Sequence, residues 1–245
     1  MVLAHGFGGS ARNWRPQVRA LAATHRVIVY DARGHARSDA PADASAYSPE
    51  ALARDLAGVL DEHAPGERAV VGGLSLGAGV ALRLALEAAE RLRGLVLMAP
   101  PPGRNPVVRG GWAREFADAI EREGLEAAGE RYAWGERSGL DPAAGRLVRQ
   151  GFLEHPPHAL VHVLRGVLDR WPSIEEIRPA LRALELPVLL VVGERDRLSL
   201  EMARSLAQEI PGARLEIVPG AGHVVNLADR ERVNELLGDF LVRLP

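Results

Sequence analysis

One serine in this sequence lies in a setting that could make its hydroxyl a nucleophile. Ser75 stands in the run Gly73-Leu74-Ser75-Leu76-Gly77, between an apolar stretch and a stretch rich in Ala and Leu. The pattern G-x-S-x-G is typical of a nucleophile elbow, a sharp turn from a strand into a helix, where small residues let the two elements approach. The helix N-terminus favours negative charge that develops there. The pattern therefore indicates covalent catalysis by Ser75, although a merely tight turn would need the same glycines.

A serine hydroxyl needs a base to accept its proton, and two later residues fit a histidine base and its acidic partner. Asp196 follows the apolar run 187–193, and His223 follows the run 215–219. Both would stand at the carboxyl ends of strands, where open parallel sheets place their sites. The order serine, acid, histidine is one in which such triads occur. Glu194 is a rival acid, but we favour Asp196 because its shorter side chain, at the end of the turn, could reach an imidazole nitrogen. Further histidines lie in helical or linking segments that no strand end positions: His25, His63, His155, His158 and His162.

Short β-branched runs alternate with amphipathic stretches, which is typical of a doubly wound, mostly parallel α/β sheet. Runs that are apolar on both faces suit strands covered by helices. Ser48 could cap a helix whose first residue is Pro49. The predicted strands are residues 26–31, 69–74, 95–100, 187–193 and 215–219.

Residues 101–186 break this alternation, because they show helical patterns and no convincing strand. Pro-rich joints stand at both ends of the segment. We therefore expect an α/β core, residues 1–100 and 187–245, with residues 101–186 inserted as a helical cap.

The composition excludes several other kinds of chemistry. The 245 residues include no cysteine and no lysine, so thiolate nucleophiles, disulfides, sulfur-ligated metals and Schiff bases are excluded. The 30 basic and 32 acidic residues are spread along the chain, and no basic block predicts a nucleic-acid partner. Residues 1–16 lack the charged start and apolar run of a secretory signal, and no stretch is apolar enough to cross a membrane. We therefore expect a cytoplasmic protein with no membrane partner.

Five motifs together resemble the α/β-hydrolase superfamily of esterases, lactonases and their relatives. The resemblance covers nearly the whole chain apart from the cap. It implies that the backbone N–H groups of Phe7 and Leu76 form the oxyanion hole, where one donor is worth about 3 to 4 kcal/mol. It also implies a structural role for His5. The motifs are His-Gly-Phe-Gly-Gly from His5, Asp-Ala-Arg-Gly-His from Asp31, the elbow around Ser75, and Gly-Glu-Arg-Asp with Gly-Ala-Gly-His near Asp196 and His223.

The sequence departs from that family in a few places. Family members have Gly where Ala36 and Ala78 stand, which should crowd those turns slightly. Arg33 matches a buried arginine that ties its loop down in the family. Family members also carry two strands before the His-Gly motif, whereas only residues 1–4 precede it here, through loss of the strands or a late start of the chain. Residues 26–31 would then form an open sheet edge, which we expect to be covered by other segments or by a homodimer.

The mechanism that these residues predict is transfer of an acyl group to water through an acyl-enzyme. His223, oriented by Asp196, would deprotonate Ser75, and the alkoxide would attack a small, largely uncharged ester or lactone. This chemistry needs no metal and no organic cofactor. Trp134 in the cap and Val224 beside the histidine are candidates for the substrate pocket, although aromatic residues at helical spacing are more often core.

Other activities on the same triad stay open at this point, namely hydrolysis of an enol-lactone, of a carbon–carbon bond or of a thioester. A menaquinone-pathway lyase is disfavoured because its family places an arginine shortly after the elbow, where Ala78, Gly79 and Val80 stand. A different class is a small-ligand sensor that keeps the triad. Turnover separates the two classes, since a sensor would hydrolyse its ligand once or slowly.

Overall fold

The computed structural model of the chain describes residues 1–103, 111–135 and 142–244. Its strands are β1 (Val2–Ala4), β2 (Ile28–Tyr30), β3 (Ala69–Leu74), β4 (Leu92–Met98), β5 (Val188–Gly193) and β6 (Arg214–Val218). They form one sheet in the order β2-β1-β3-β4-β5-β6, and every pairing is parallel. This confirms the predicted fold class, a mostly parallel α/β sheet.

Helices occupy most of the connections between these strands. They are α1 (Arg15–Leu21), α2 (Pro49–His63), α3 (Leu76–Glu87), α4 (Trp112–Gly129), α5 (Pro142–Leu153), α6 (Pro157–Gly166), α7 (Ile174–Arg182), α8 (Arg197–Glu209), α9 (Val225–Ala228) and α10 (Arg230–Val242), with a π-helical segment at Glu130–Trp134 and 3₁₀ turns at Ala11–Trp14, Ala44–Ala46, Ala89–Arg91 and Leu168–Arg170.

Two hydrophobic cores lie on opposite faces of the sheet, because successive side chains of a strand point to opposite faces. Val70 of β3 packs in one core with Leu237 of α10, whereas the next residue, Val71, packs in the other with Leu56 of α2. Every residue of β3 and β5 is buried. Burial of each Val or Leu side chain contributes about 1.5 to 3 kcal/mol, which explains why unbroken apolar runs form the central strands.

The sequence does not predict β1, although it lies between β2 and β3 and pairs with both. Val2 is in register with Ile28 on one side and with Val71 on the other. Three residues are too few to show strand periodicity, so only tertiary pairing identifies this strand. Its carboxyl end delivers His5 and the residues after it to the edge of the sheet.

The strand ends differ from the predicted ones by a few residues. β2 is shorter than the predicted 26–31, and β4 ends before Ala99, whose φ of 43° lies in the left-handed region and breaks the ladder. The predicted start of α2 is confirmed, because the Ser48 side chain accepts the N–H of Ala51 and Pro49 is the first helical residue.

The described residues between β4 and β5 are mostly helical and include no strand, as expected for the segment predicted to be a cap. The helix α4 is interrupted at Gly124, whose φ of 82° and ψ of 172° are not helical. The helix α7 begins with a capping box in which Ser173 and Glu176 bond each other's backbone N–H groups. The division into core and cap stays a prediction. Within the described ranges, no helix is both long enough and apolar enough to cross a membrane.

Candidate active site

The elbow at Ser75 is the most strained turn of the site. Ser75 follows β3 and has φ 52° and ψ −113°, a backbone conformation that residues other than glycine rarely adopt. Its N–H donates to Met98 O at 2.9 Å, and its C=O accepts the N–H of Gly79 at 3.0 Å, which begins α3. The backbone is therefore fixed on both sides of the residue, and the serine stands at the carboxyl edge of the sheet.

Two glycines make this turn possible. A Cβ on Gly73 would lie 2.3 Å from the carbonyl carbon of Gly77, and one on Gly77 would lie 2.1 Å from Ala4 O. Both contacts are with backbone, which cannot move aside. The G-x-S-x-G pattern is thus explained by the close approach of β3, α3 and β1.

The predicted acid and base are in direct contact. Asp196 follows β5 and His223 follows β6, and Asp196 Oδ2 lies 2.6 Å from His223 Nδ1. The other carboxylate oxygen accepts the N–H of Ser199 at 3.3 Å, so Asp196 also caps α8. A carboxylate at Nδ1 fixes the imidazole tautomer that leaves Nε2 free to accept a proton.

The pKa of Asp196 lies below its ordinary value. Burial of this carboxyl raises the pKa, but hydrogen bonds and charge interaction with His223, together with hydrogen bonds from Ser199, lower it by more. Asp196 is therefore ionised at neutral pH, as an orienting acid must be.

The rival acid, Glu194, is directed elsewhere. Its Oε2 accepts the N–H of Gly220 at 2.8 Å, which ties the turn after β5 to the turn after β6. The same two turns touch at Gly193, where a Cβ would lie 2.3 Å from Gly222 O. Glu194 thus supports the loop that carries His223.

The structure places Ser75 and His223 at one edge of the sheet without a hydrogen bond between them. The hydrogen bonds of His223 in the described residues run from Nδ1, to Asp196 and, at 3.5 Å, to Ser199 Oγ. Catalytic hydrogen bonds are often long before substrate binds, so this geometry is compatible with a triad. Ser199 is a neighbour of the histidine that the sequence pattern did not indicate.

The loop after β1, residues 5–9, carries the predicted oxyanion donor Phe7, and we call it the oxyanion loop. Gly9 N–H donates to Gly6 O at 3.0 Å, and Gly8 has φ 65°, which closes a tight turn around Phe7. The second predicted donor, Leu76, is the first residue of α3. Its N–H is therefore among the first-turn amides that have no acceptor within the helix.

Two buried histidines tie this loop to the loop after β2. His5 donates from Nδ1 to Gly6 O at 2.8 Å and accepts the N–H of Ala32 at Nε2, 2.9 Å away. His35 accepts the N–H of Gly8 at Nε2, 3.1 Å away. Burial lowers the pKa of His5 to about 4, and burial with neighbouring imidazoles lowers the pKa of His35 well below its ordinary value. Both rings are neutral and structural, as the resemblance implied for His5.

Arg33, which the resemblance also marked as structural, forms a two-pronged ion pair with Asp55. Its Nε and Nη2 atoms lie 2.8 and 2.6 Å from the two carboxylate oxygens, and Nη1 donates to Ala46 O at 2.9 Å. Ala36, which stands where the family has glycine, has φ 45°. The turn therefore requires a left-handed backbone conformation at this position, and alanine adopts it at some cost in strain.

A small cavity of about 60 Å³ adjoins the site. Its wall includes Val224, one of the two candidates for the substrate pocket, together with Leu74, Phe7 and, from helix α5, Leu147 and Val148. Trp134, the other candidate for the substrate pocket, is buried inside the helical segment between β4 and β5, with its ring 5.3 Å from that of Phe152 and against Gly129. No sequence pattern indicated the α5 residues, because only the packing of the helical segment between β4 and β5 brings them to the loop.

Comparison with known proteins agrees with the fold. The model of the alpha/beta hydrolase family matches residues 1–236. The chain is 33% identical over 254 residues to the "Putative carbamate hydrolase RutD" of Azorhizobium caulinodans, covering 98% of this chain and 90% of that protein. It is 30% identical over 263 residues to the "Putative 2-succinyl-6-hydroxy-2,4-cyclohexadiene-1-carboxylate synthase" of Bacillus subtilis (strain 168), covering 100% and 90%. A solved thermophilic esterase from Thermogutta terrifontis superposes with a TM-score of 0.85 at 29% identity, covering 99% and 89%.

Proposed function

This chain belongs to the alpha/beta hydrolase family, and from that premise we propose that it is a serine hydrolase that cleaves carboxylic esters of small, largely uncharged acyl groups. The contact that carries the proposal is the 2.6 Å pair between Asp196 Oδ2 and His223 Nδ1, at the sheet edge where the elbow presents Ser75. A buried carboxylate on Nδ1 prepares an imidazole for proton transfer at Nε2.

The proposed reaction proceeds in two acyl transfers. His223 Nε2 takes the proton of Ser75 as the serine oxygen bonds to the ester carbonyl carbon. The electron pair of the carbonyl moves onto its oxygen, which the N–H groups of Phe7 and Leu76 stabilise. The histidine then protonates the departing alcohol, leaving an acyl-enzyme. Water repeats the sequence and releases the carboxylic acid and the free serine.

The walls of the cavity favour a short, uncharged acyl group. Leu74, Val148 and Val224 contribute apolar surface, and the cavity, of about 60 Å³, is small. Ester and carbamate hydrolysis, the activities in the names of two similar proteins, both transfer an acyl or carbamoyl group to water. The proposal therefore needs no chemistry beyond what those names describe.

Elimination by the same triad is the second candidate, because the B. subtilis relative is named as a synthase rather than a hydrolase. The residues after the elbow argue against elimination, because the lyase family considered above places an arginine there. Ala78 and Val80 are buried, and a Cβ on Gly79 would lie 2.5 Å from the ring of Trp171, so no cation stands at these positions. Hydrolysis is accordingly the function that we favour.

The test is turnover of p-nitrophenyl esters of increasing acyl length, with a phenyl carbamate and a γ-lactone beside them. We expect many turnovers per chain, the highest kcat/KM with acetyl or propionyl esters, and none with Ser75→Ala. A single turnover per chain would indicate a sensor. Preference for long acyl chains would contradict the small pocket, and carbamate or lactone hydrolysis without ester hydrolysis would move the proposal to that substrate.

A further inference from the structure

One further histidine is buried where the cap meets the oxyanion loop. His155 lies in the turn between α5 and α6 and is 3% exposed. Its Nε2 lies 3.0 Å from Gly9 O, and its Nδ1 lies 3.1 Å from Phe152 O. A polar side chain that bridges two elements in this way is held in one orientation. His155 thus joins the cap to the loop that carries the proposed oxyanion donor.

Two other contacts press the same cap turn against the same loop. The ring of Phe152 covers Gly8 so closely that a Cβ there would lie 2.2 Å from Cδ2. Glu154 pairs with Arg12, just beyond the loop. The contact between cap and loop is therefore continuous, and the hydrogen bond to Gly9 O is its buried polar connection.

The loop is consequently bonded from two sides. His35 accepts the N–H of Gly8 from the core side, and its ring lies 5.2 Å from that of His155. His155 bonds the C=O of Gly9 from the cap side. The N–H of Phe7 lies one peptide unit before the first anchor point, the N–H of Gly8, and three before the second, the C=O of Gly9. Its direction therefore depends on both.

We propose, on the basis of the proposed function, that His155 is a positioning residue that aims the N–H of Phe7 at the developing oxyanion. The required contact is donation from Nε2–H to Gly9 O. A displaced oxyanion donor stabilises the tetrahedral state less while leaving ground-state binding of the ester nearly unchanged. Loss of this contact should therefore lower kcat and leave KM almost constant.

An imidazole with one N–H can donate to only one of the two carbonyl oxygens that His155 faces, and two amide substitutions separate these two contacts. The amide nitrogen of His155→Gln can take the place of Nε2 and keep the bond to Gly9 O. The shorter side chain of His155→Asn can take only the place of Nδ1, beside Phe152 O. The matched control is His158→Asn, because His158 Nε2 also bonds a core carbonyl, Ala40 O at 3.2 Å, away from the oxyanion loop.

The experiment measures kcat and KM with p-nitrophenyl acetate and the Kd of phenylboronic acid, whose tetrahedral adduct with Ser75 places an oxygen in the oxyanion hole. We expect His155→Asn to lower kcat about 10- to 100-fold and to weaken boronate binding by a similar factor, with KM within about twofold. His155→Gln should stay within a few-fold of the wild type, and His158→Asn should match it.

Three results would overturn the inference: equal effects of His155→Asn and His158→Asn, failure of His155→Gln to retain activity, or a fall in kcat that follows a lower Tm while boronate affinity is unchanged. Boronate binding requires Ser75 and the oxyanion hole but no turnover. A wild-type chain that binds boronate and cleaves no ester would thus contradict the proposed function alone, and the Asn and Gln variants would still test His155 by their boronate Kd.

Discussion

A contact of 2.6 Å joins Asp196 to His223, and the proposed chemistry depends on it more than on any other pair. The carboxylate holds Nδ1–H and stabilises the positive charge that the ring acquires when it takes the proton of Ser75. Its lowered pKa keeps it ionised at neutral pH. In the proposed mechanism the three side chains act as one unit, so the loss of one should disable the others.

We expect Ser75→Ala and His223→Ala each to lower kcat about 10⁴- to 10⁶-fold, and the double variant to lose little more. The reason is that neither the nucleophile nor the base accelerates the reaction alone. Steady-state kinetics with p-nitrophenyl acetate measure the effect. The exposed His63 provides the control, since His63→Ala should retain full activity. A mild effect of His223→Ala would contradict the triad.

Substitution of the acid distinguishes Asp196 from its neighbour Glu194. Asp196→Asn should keep the fold and lower kcat about 10⁴-fold, because the amide favours the wrong imidazole tautomer. Glu194→Gln should retain most activity, since Glu194 bonds Gly220 rather than the histidine. Wild-type kinetics in Asp196→Asn with a collapse in Glu194→Gln would transfer the acid role. Circular dichroism of both variants verifies that the fold is intact.

Among the elements, the contact of β1, β3 and α3 gives the elbow its shape. Gly77 lies against the carbonyl of Ala4 because the first turn of α3 crosses directly over β1. Two backbone hydrogen bonds hold the strained φ of Ser75: its N–H donates to Met98 O of β4, and its C=O accepts the N–H of Gly79 of α3. Tight packing of three elements thus sustains a conformation that an isolated turn would not keep.

A single methyl group at this contact should be strongly destabilising. We expect Gly77→Ala to lower the free energy of unfolding by about 3 kcal/mol or more, because its Cβ would overlap Ala4 O. In Gly58→Ala, on the exposed face of α2, the new methyl group meets no atom within 4 Å. This substitution should raise the free energy of unfolding by about 0.5 to 1 kcal/mol. Urea denaturation measures both. Equal stability of the two variants would contradict the packing described here.

The buried histidines of the loops should make the protein sensitive to acid. The pKa of His5 is about 4 in the folded chain against an ordinary 6.5, so the unfolded chain binds the extra proton first as the pH falls. Stability is therefore full above about pH 6.5 and declines toward pH 4, by about 3 kcal/mol for His5 alone, with His35 acting in the same direction.

The variant His5→Gln tests this dependence, because its amide oxygen can still accept the N–H of Ala32 but cannot take up a proton. We expect the fall in unfolding free energy between pH 7 and pH 4.5 to be smaller in His5→Gln than in the wild type. His63→Gln, at an exposed site, should leave the fall unchanged. An equal fall in His5→Gln and the wild type would show that His5 does not contribute.

At the scale of the whole molecule, β2 is the outermost strand of the sheet within the described part of the chain. In the described residues, β2 pairs only with β1, and Ile28 uses its N–H for the bond to Met1 O. Because alternate residues of a parallel strand bond to opposite sides, the N–H of Val29 points away from β1. Val27, Ile28 and Val29 are only partly buried along this edge. An apolar edge with unpaired backbone groups favours pairing with another strand.

We propose that two copies of the chain pair along β2 across a two-fold axis. Light scattering should then give twice the 26.4 kDa of one chain, and the Val29 amide should exchange slowly with solvent. Val29→Pro should give a monomer, since proline removes the outward N–H and is tolerated at an edge. A stable wild-type monomer at high concentration, with a fast-exchanging Val29 amide, would contradict this proposal.

The sequence by itself determined the features that local constraints encode. Gly73 and Gly77 mark the elbow because no other residue fits the approach of strand and helix, and Ser48-Pro49 marks the start of α2 because capping acts within one turn. The long apolar runs that became β3 and β5 show that both faces of the sheet are covered. Ser75, Asp196 and His223 each follow an apolar run, and the carboxyl ends of parallel strands share one edge. The sequence therefore also places these three residues at the same edge.

Only the tertiary structure decided what depends on residues far apart in the chain. The pairing of β1 with two neighbours made a strand of three residues that have no periodicity of their own. The choice of Asp196 over Glu194 depends on side-chain direction after β5, which the turn against Gly222 sets. The contact of His155 with Gly9 spans 146 positions of the sequence, and only the packing of the helical segment between β4 and β5 against the oxyanion loop creates it. Local pattern fixes elements, whereas the packing between elements fixes which side chains meet.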